Sequence, residues 1–225
     1  YAVCNEAFKD CSGLTEIVFP VSVEKFGKSA FMNCTSITSM TLPAVVAGIS
    51  DRMFYNCTAL SSINLTTLSY LTVIGSQAFY NCAFTSISIP STVTTIRSEA
   101  FRNCTSLEGV TLSTQLSKLA ESMFYGCTSL KSIEIPNNIT EIGDNAFYGC
   151  TALKEVTLHK NITAIGNYAF CGCSALIEIS IPNCYLGYAI FKDCVSLNSV
   201  SFDNGIKKIP GQTFMNTALI SVILP

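Results

Sequence analysis

The 225-residue chain has no tryptophan, one histidine (His159) and few charges: Asp, Glu, Lys and Arg make up 12% of it, for a net charge of -2. Without a basic excess there is no cationic field to hold nucleic acid or an anionic membrane surface. A lone histidine leaves little material for acid–base or nucleophilic catalysis, which needs several groups within hydrogen-bond reach. Long apolar runs are missing as well. Ser, Thr, Asn and Pro break the apolar residues into pieces well below the ~18 consecutive residues of a spanning helix, so this segment is not expected to insert in a membrane. The opening YAVCNEAFKDC also lacks the basic-then-apolar order of a signal peptide, and location cannot be read from it.

What is present is hydrophobicity, 49% of the residues, enough for a continuous core, and twelve cysteines. Twelve in 225 is about 5%, below the roughly 8–10% of a disulfide scaffold, so their spacing decides their meaning. The chain repeats on its phenylalanines: Phe8, Phe31, Phe54, Phe79, Phe101, Phe124, Phe147, Phe170, Phe191 and Phe214, at steps of 21 to 25 residues. Three residues after each comes Cys11, Cys34, Cys57, Cys82, Cys104, Cys127, Cys150, Cys173 and Cys194, with Thr217 in the last copy. Nine of the cysteines are therefore one position, repeated.

A period in the low twenties is that of a solenoid coil that cannot bury its apolar face alone. After each cysteine an apolar residue such as Leu130 precedes an alternating pair, Ile133 with Ile135 or Val156 with Leu158, which predicts a short strand often closed by proline. A second apolar pair, as in Ile139 with Ile142, brings the chain back to the Ala-Phe segment. The residue before each cysteine position is always Gly, Asn or Asp, types that tolerate the left-handed conformation, which predicts one helical turn with a left-handed cap there.

The pattern C-x-x-L-x-x-[IV]-x-[IL]-P-x-x-[IV]-x-x-I-G-x-x-A-F, nearly complete in CTSLKSIEIPNNITEIGDNAF (127–147), resembles the BspA-type, or Treponema-type, leucine-rich repeat over the whole chain. The resemblance implies an α/β repeat solenoid: a right-handed leucine-rich-repeat coil with a parallel sheet on the concave face and short helical turns or irregular segments elsewhere. It also implies a non-enzymatic adhesion module, cell-surface or secreted, meeting a protein or glycan ligand on a host or neighbouring cell. The alternative is a structural spacer that holds another domain away from a surface. The expected unit is one solenoid of about ten 23-residue coils over residues 1–225. It begins and ends mid-pattern, as an excerpt of a longer protein would, and end-to-end self-association is expected of the isolated segment. Three coils are irregular. Extra residues lie in TTLSYLTV (66–73), one is lost between Cys82 and Phe84, and IPNCYLGYAIF (181–191) is short; such coils are where a specific contact is most easily built.

No catalytic, metal or cofactor site is expected. His159 reads as a solvated turn residue. Equivalent cysteines on stacked coils keep their Cβ atoms about 4.8 Å apart, wider than the roughly 3.8 Å of a disulfide, and a ladder does not converge on a metal; buried free thiols remain. Off the ladder, Cys4, Cys171 and Cys184 read as exposed thiols, with a Cys171–Cys184 bridge left open. The Asn-x-Ser/Thr sequons at Asn33, Asn56, Asn64, Asn103, Asn138 and Asn161 matter only in a eukaryotic secretory pathway. Tyr55, Tyr80, Tyr125 and Tyr148 form a ridge that covers the coil edge.

The expected binding surface is the outward side of the strands after the cysteines: Ser39, Thr41, Ser62, Asn64, Ser86, Ser88, Thr111, Ser132, Glu134, Glu155, Thr157, Glu178 and Ser180. Short hydroxyls also suit a close-packed sheet for purely structural reasons.

Overall fold

The computed structural model describes residues 1–224 and shows ten stacked coils, one for each of the ten phenylalanines of the repeat. Three hydrogen-bonding segments recur along the coils. The first follows the cysteine and runs through Ser39–Met40, Ser62–Ile63, Ser86–Ser88, Gly109–Thr111, Ser132–Ile133, Glu155–Val156, Glu178–Ile181, Ser199–Phe202 and Ser221–Ile223. The second precedes the Ala-Phe segment: Ala2–Val3, Lys25–Phe26, Gly48–Ile49, Val73–Ile74, Thr95–Ile96, Lys118–Leu119, Glu141–Ile142, Ala164–Ile165 and Tyr185–Leu186. Both are ladders of parallel pairs, such as Ser132 with Glu155 and Glu141 with Ala164. The return pair of the sequence motif is thus half of a second ladder.

The third segment corrects the expected helical turn and, with it, the α/β class. Among the described residues the only helix is the 3-10 turn Leu65–Thr67, which uses up part of the insertion at 66–73. The Ala-Phe segments are consecutive turns with left-handed residues at two places. One is the predicted position before the cysteine, from Asp10 (φ 62°) to Asn216 (φ 60°). The other lies two residues before the phenylalanine, at Glu6, Ser29, Arg52, Gln77, Glu99, Ser122, Asn145, Tyr168, Ala189 and Gln212. None of these ten is glycine, although a side chain in this conformation costs about 1–2 kcal/mol. The reason is visible in the hydrogen bonds. The N–H groups of Ser29, Phe31 and Asn33 donate to Asp51, Met53 and Tyr55 of the next coil, while those of Met32 and Cys34 close turns within their own coil. A helix would direct all its N–H groups inward; alternating hands direct every second one to the neighbouring coil. This pattern recurs at every junction from the Phe8 coil to the Phe214 coil, so the turn segment is the unbroken seam of the solenoid.

Inside that seam the phenylalanine rings form one stack. Successive centroids lie 5.1 to 5.8 Å apart, with planes within 15° of parallel. Phe31 to Phe191 on this axis are fully buried. Offset stacking adds about 0.5–1.5 kcal/mol per pair beyond area burial. Phe84, in the coil that lost a residue, is buried edge-on against Phe79 at 5.5 Å.

Unlike the seam, both strand ladders are interrupted, the first between Ile63 and Ser86, Thr111 and Ser132, and Val156 and Glu178; in the second, the residue after each strand explains where. At Gly27, Gly75, Gly143, Gly166 and Gly187 the coil lies so close to its predecessor that a Cβ would strike backbone, at 2.5 Å from Asp51 N for Gly75 and 2.7 Å from Glu121 N for Gly143. At these coils the glycine N–H donates across, as from Gly143 to the Leu119 carbonyl at 2.9 Å. Ser50, Ala120 and Pro210 occupy the same place after Ile49, Leu119 and Ile209, and the strand pairing stops there. Arg97 keeps its bond to Ile74, 2.9 Å, in the short coil. Two gaps within the ladder, at Ser50 and Ala120, therefore open on this face, and at Pro210 the ladder ends.

Candidate binding surfaces

The cysteine ladder is sealed. Cys34 to Cys194 on the ladder are buried, all twelve cysteines are free, and no Cys171–Cys184 bridge forms. Each rung does more than fill space. The Sγ of Cys104 donates to the Phe79 carbonyl of the preceding coil at 3.1 Å, and the same 3.0–3.2 Å contact recurs from Cys34 to Cys194. That carbonyl also accepts the N–H of its own coil's cysteine, 3.3 Å for Cys82 on Phe79, so both of its lone pairs are used. Burial pushes the thiols up, to about 12 for Cys57, Cys104 and Cys194 and well above the ordinary value for Cys82, Cys127, Cys150 and Cys173. Thiols held neutral are poor nucleophiles and poor metal ligands. Off the ladder the expectation of exposed thiols holds for Cys4 only; Cys171 is buried beside Tyr148 and Cys184 is half-buried against the core.

His159 places Nε2 3.0 Å from the Pro136 carbonyl and leaves Nδ1 buried without a partner among the described residues. Donation to a carbonyl requires the proton on Nε2. None of the surface depressions described below is lined by His159. The tyrosines stack as pairs, Tyr55 on Tyr80 at 4.4 Å and Tyr125 on Tyr148 at 4.7 Å, with the Arg102 guanidinium 4.0 Å over Tyr125; these half-buried rings cover the coil edge. The sequon amides of Asn33 and Asn56 are occupied, donating to Asp10 and Asn33 of the coils before them at 2.7 and 3.0 Å.

Of the thirteen outward residues expected to bind, twelve are exposed in two columns along the first ladder. Asn64 is not free to serve. It is half-buried, accepts the Leu42 N–H at 2.8 Å, donates to the Leu42 carbonyl at 2.9 Å and reaches Thr67 at 3.0 Å, closing the inserted turn. The columns change character along the chain. Ser39, Thr41, Ser62, Ser86, Ser88, Thr111 and Ser132 are neutral hydroxyls, whereas Glu134, Glu155 and Glu178 bring carboxylates that no ion pair neutralises among the described residues. Glu155, Thr157, Glu178 and Ser180 line one shallow depression of about 380 Å³ with Ser199 and Ser201; Thr111 and Glu134 line another of about 420 Å³ with Asn137 and Asn138.

A larger depression, about 720 Å³, lies on the second ladder at the Ser50 gap, a face that the outward-strand pattern did not single out. Lys25, Lys28, Tyr70 and Arg97 line it. Its sequence signal was the loss of glycine from the I-G-x-x-A-F motif at Ser50, together with Tyr70 in the inserted segment.

A parallel β-solenoid of stacked 23-residue coils with an aliphatic and phenylalanine core is a leucine-rich-repeat architecture. The model of the BspA type leucine rich repeat region (6 copies) matches residues 1–108, 72–185 and 176–225, and the chain belongs to that family. A leucine-rich repeat protein from Bacteroides ovatus is 35% identical with TM-score 0.93; the match covers 98% of this chain and 58% of that one, so the chain spans little more than half of that protein. A leucine rich cell surface protein from Faecalibacterium prausnitzii is 26% identical with TM-score 0.62, covering 99% of this chain and 69% of that one. The T. pallidum leucine-rich repeat protein is 27% identical with TM-score 0.55, covering 78% and 71%. No curated protein matches the chain. Among the described residues no helix is long and apolar enough to cross a membrane.

Proposed function

We propose that this chain is a non-enzymatic adhesion module, displayed on a cell surface or secreted, that meets a protein or glycan partner through the outward side of its first ladder. The observation that carries this reading is the pair of depressions lined by Thr111 with Glu134 and by Glu155, Thr157, Glu178 and Ser180. A row of short hydroxyls and unneutralised carboxylates on a stiff support offers acceptors at rung spacing, about 4.8 Å, and suits a partner that presents amino, guanidinium or hydroxyl groups in an extended array. The similarity to a cell surface protein supports the location. Among the described residues aromatic and arginine anchors are missing from this face, so affinity is expected from many weak contacts over a long surface.

The test is a screen of host matrix proteins and glycans against the chain, an unrelated solenoid, and a variant with Glu134→Ala, Glu155→Ala and Glu178→Ala. Specific binding reduced at least tenfold by the triple substitution supports the reading. Binding no stronger than to the unrelated solenoid overturns it in favour of a structural spacer, and binding indifferent to the substitution moves the contact to another face.

A further inference from the structure

The depression on the second ladder exists because two coils cannot close. Ser50 stands where a glycine would let the Phe54 coil approach, strand pairing between Lys25–Phe26 and Gly48–Ile49 is lost, and the Ser50 hydroxyl takes the Phe26 carbonyl in place of a backbone N–H. Buried Phe26 and Ile49 line the opening, with Gly48 leaving a flat strip beside them. On one side the inserted segment holds out Tyr70, 65% exposed. On the other, Asp51 anchors two cations from different coils: its carboxylate lies 3.3 Å from Lys28 Nζ and 3.2 Å from Arg97 Nη1, and it accepts the Ser76 N–H at 3.0 Å. Burial alone would raise the Asp51 carboxyl, but that N–H and the two cations together hold it below its ordinary value, so it stays charged and keeps both cations in place. Lys25 lines the same space without an ion-pair partner among the described residues.

We propose that this depression binds a carboxylate-bearing pyranose, the acidic sugar unit of an oligosaccharide. Arg97 and Lys28 face the carboxylate, Arg97 having further N–H donors beyond the one on Asp51. Tyr70 offers an amphipathic ring to the apolar face of the sugar. The mixed sign of the lining selects the class. Glu24 and Asp51 sit among the cations and accept from hydroxyls, which an acidic sugar has beside its carboxylate. A run of acidic peptide side chains would instead bring carboxylates against Glu24. The volume is within the roughly 300–1,000 Å³ of small-ligand sites, and the trough is open enough for the rest of a chain to leave it. The second gap, at Ala120, has the same origin and the opposite balance, with Glu121, Glu141 and Asp144 against Lys118, and serves as an internal contrast. The proposal is independent of the partner on the first ladder.

The experiment is calorimetric or NMR titration of the chain with a trisaccharide of galacturonic acid and with neutral galactotriose. The acidic sugar is expected to bind at least tenfold more tightly, and less so as salt rises. Arg97→Gln, Lys25→Gln and Tyr70→Ala should each weaken it about tenfold. Lys25→Gln leaves the Asp51 contacts in place and guards against an effect on folding, which thermal unfolding checks in each variant. Ser50→Gly, which removes no charge, should also weaken binding by closing the gap, and the triple first-ladder variant should not. Equal affinity for the neutral sugar, no binding at millimolar sugar, or equally tight binding of a polyglutamate peptide each overturns the proposal, the last assigning the depression to acidic peptides.

Discussion

Alkali should unfold this protein steeply through its cysteine rungs. Seven ladder thiols are raised, Cys57, Cys104 and Cys194 to about 12 and Cys82, Cys127, Cys150 and Cys173 well above the ordinary value, desolvation by burial being the leading cause in every case. An unfolded thiol ionises near 8.5. A raised native value means that the contribution to stability is complete below about pH 8.5 and is lost as pH climbs from there towards the native value. At pH 9.5 each rung has given up on the order of 1 kcal/mol, and the seven together an amount comparable with the whole stability of an ordinary domain. Stability from urea titrations between pH 7 and 9.5, below the ordinary range of Tyr and Lys, should fall with a slope approaching nine protons, since burial also raises Cys34 and Cys184 to about 11. Cys127→Ala should lower that slope by one. In the folded protein at pH 9, a chromogenic disulfide reagent should find mainly the exposed Cys4 and Cys11. Ladder thiolates titrating near 8.5 while the far-ultraviolet spectrum stays native would refute the sealed-rung account.

Other perturbations follow from the same packing. Phe124→Ala removes one ring from a continuous stack in which Phe101 and Phe147 lie 5.7 and 5.6 Å away, and should cost about 3–5 kcal/mol by denaturant titration. Gly143→Ala places a Cβ 2.7 Å from Glu121 N, so it should cost about 1–3 kcal/mol and speed hydrogen exchange of the Gly143 amide as the ladder opens. Gly149→Ala meets nothing within 4 Å, so its expected loss of about 1 kcal/mol comes from the backbone alone, at φ +70°. A loss there above 3 kcal/mol would mean that the space is tighter than the structure shows.

The period, the phenylalanine axis, the cysteine rungs and the left-handed place before each rung were legible in the sequence because each repeats one residue type or one narrow set of types. The second left-handed place was not. Glu99, Ser122, Tyr168 and Ala189 share no chemistry that marks a strained backbone, and they are held by the N–H groups that the next coil accepts. The same limit applied to the surfaces. Alternation marked the outward columns of the first ladder, but that Asn64 is bound to Leu42 while Glu155 and Glu178 stand free depends on which side chain finds a carbonyl across the junction.

By itself, then, the sequence determined a stack of coils, their core and their family, since a 23-residue hydrophobic period can be satisfied only by stacking. Whether neighbouring coils close or gape was decided in the tertiary structure. A glycine at the end of a second-ladder strand permits close approach only because the preceding coil's backbone lies where its Cβ would be. The depression beside Tyr70, Asp51 and Arg97 arises from contacts between coils up to 46 residues apart, which no local pattern encodes.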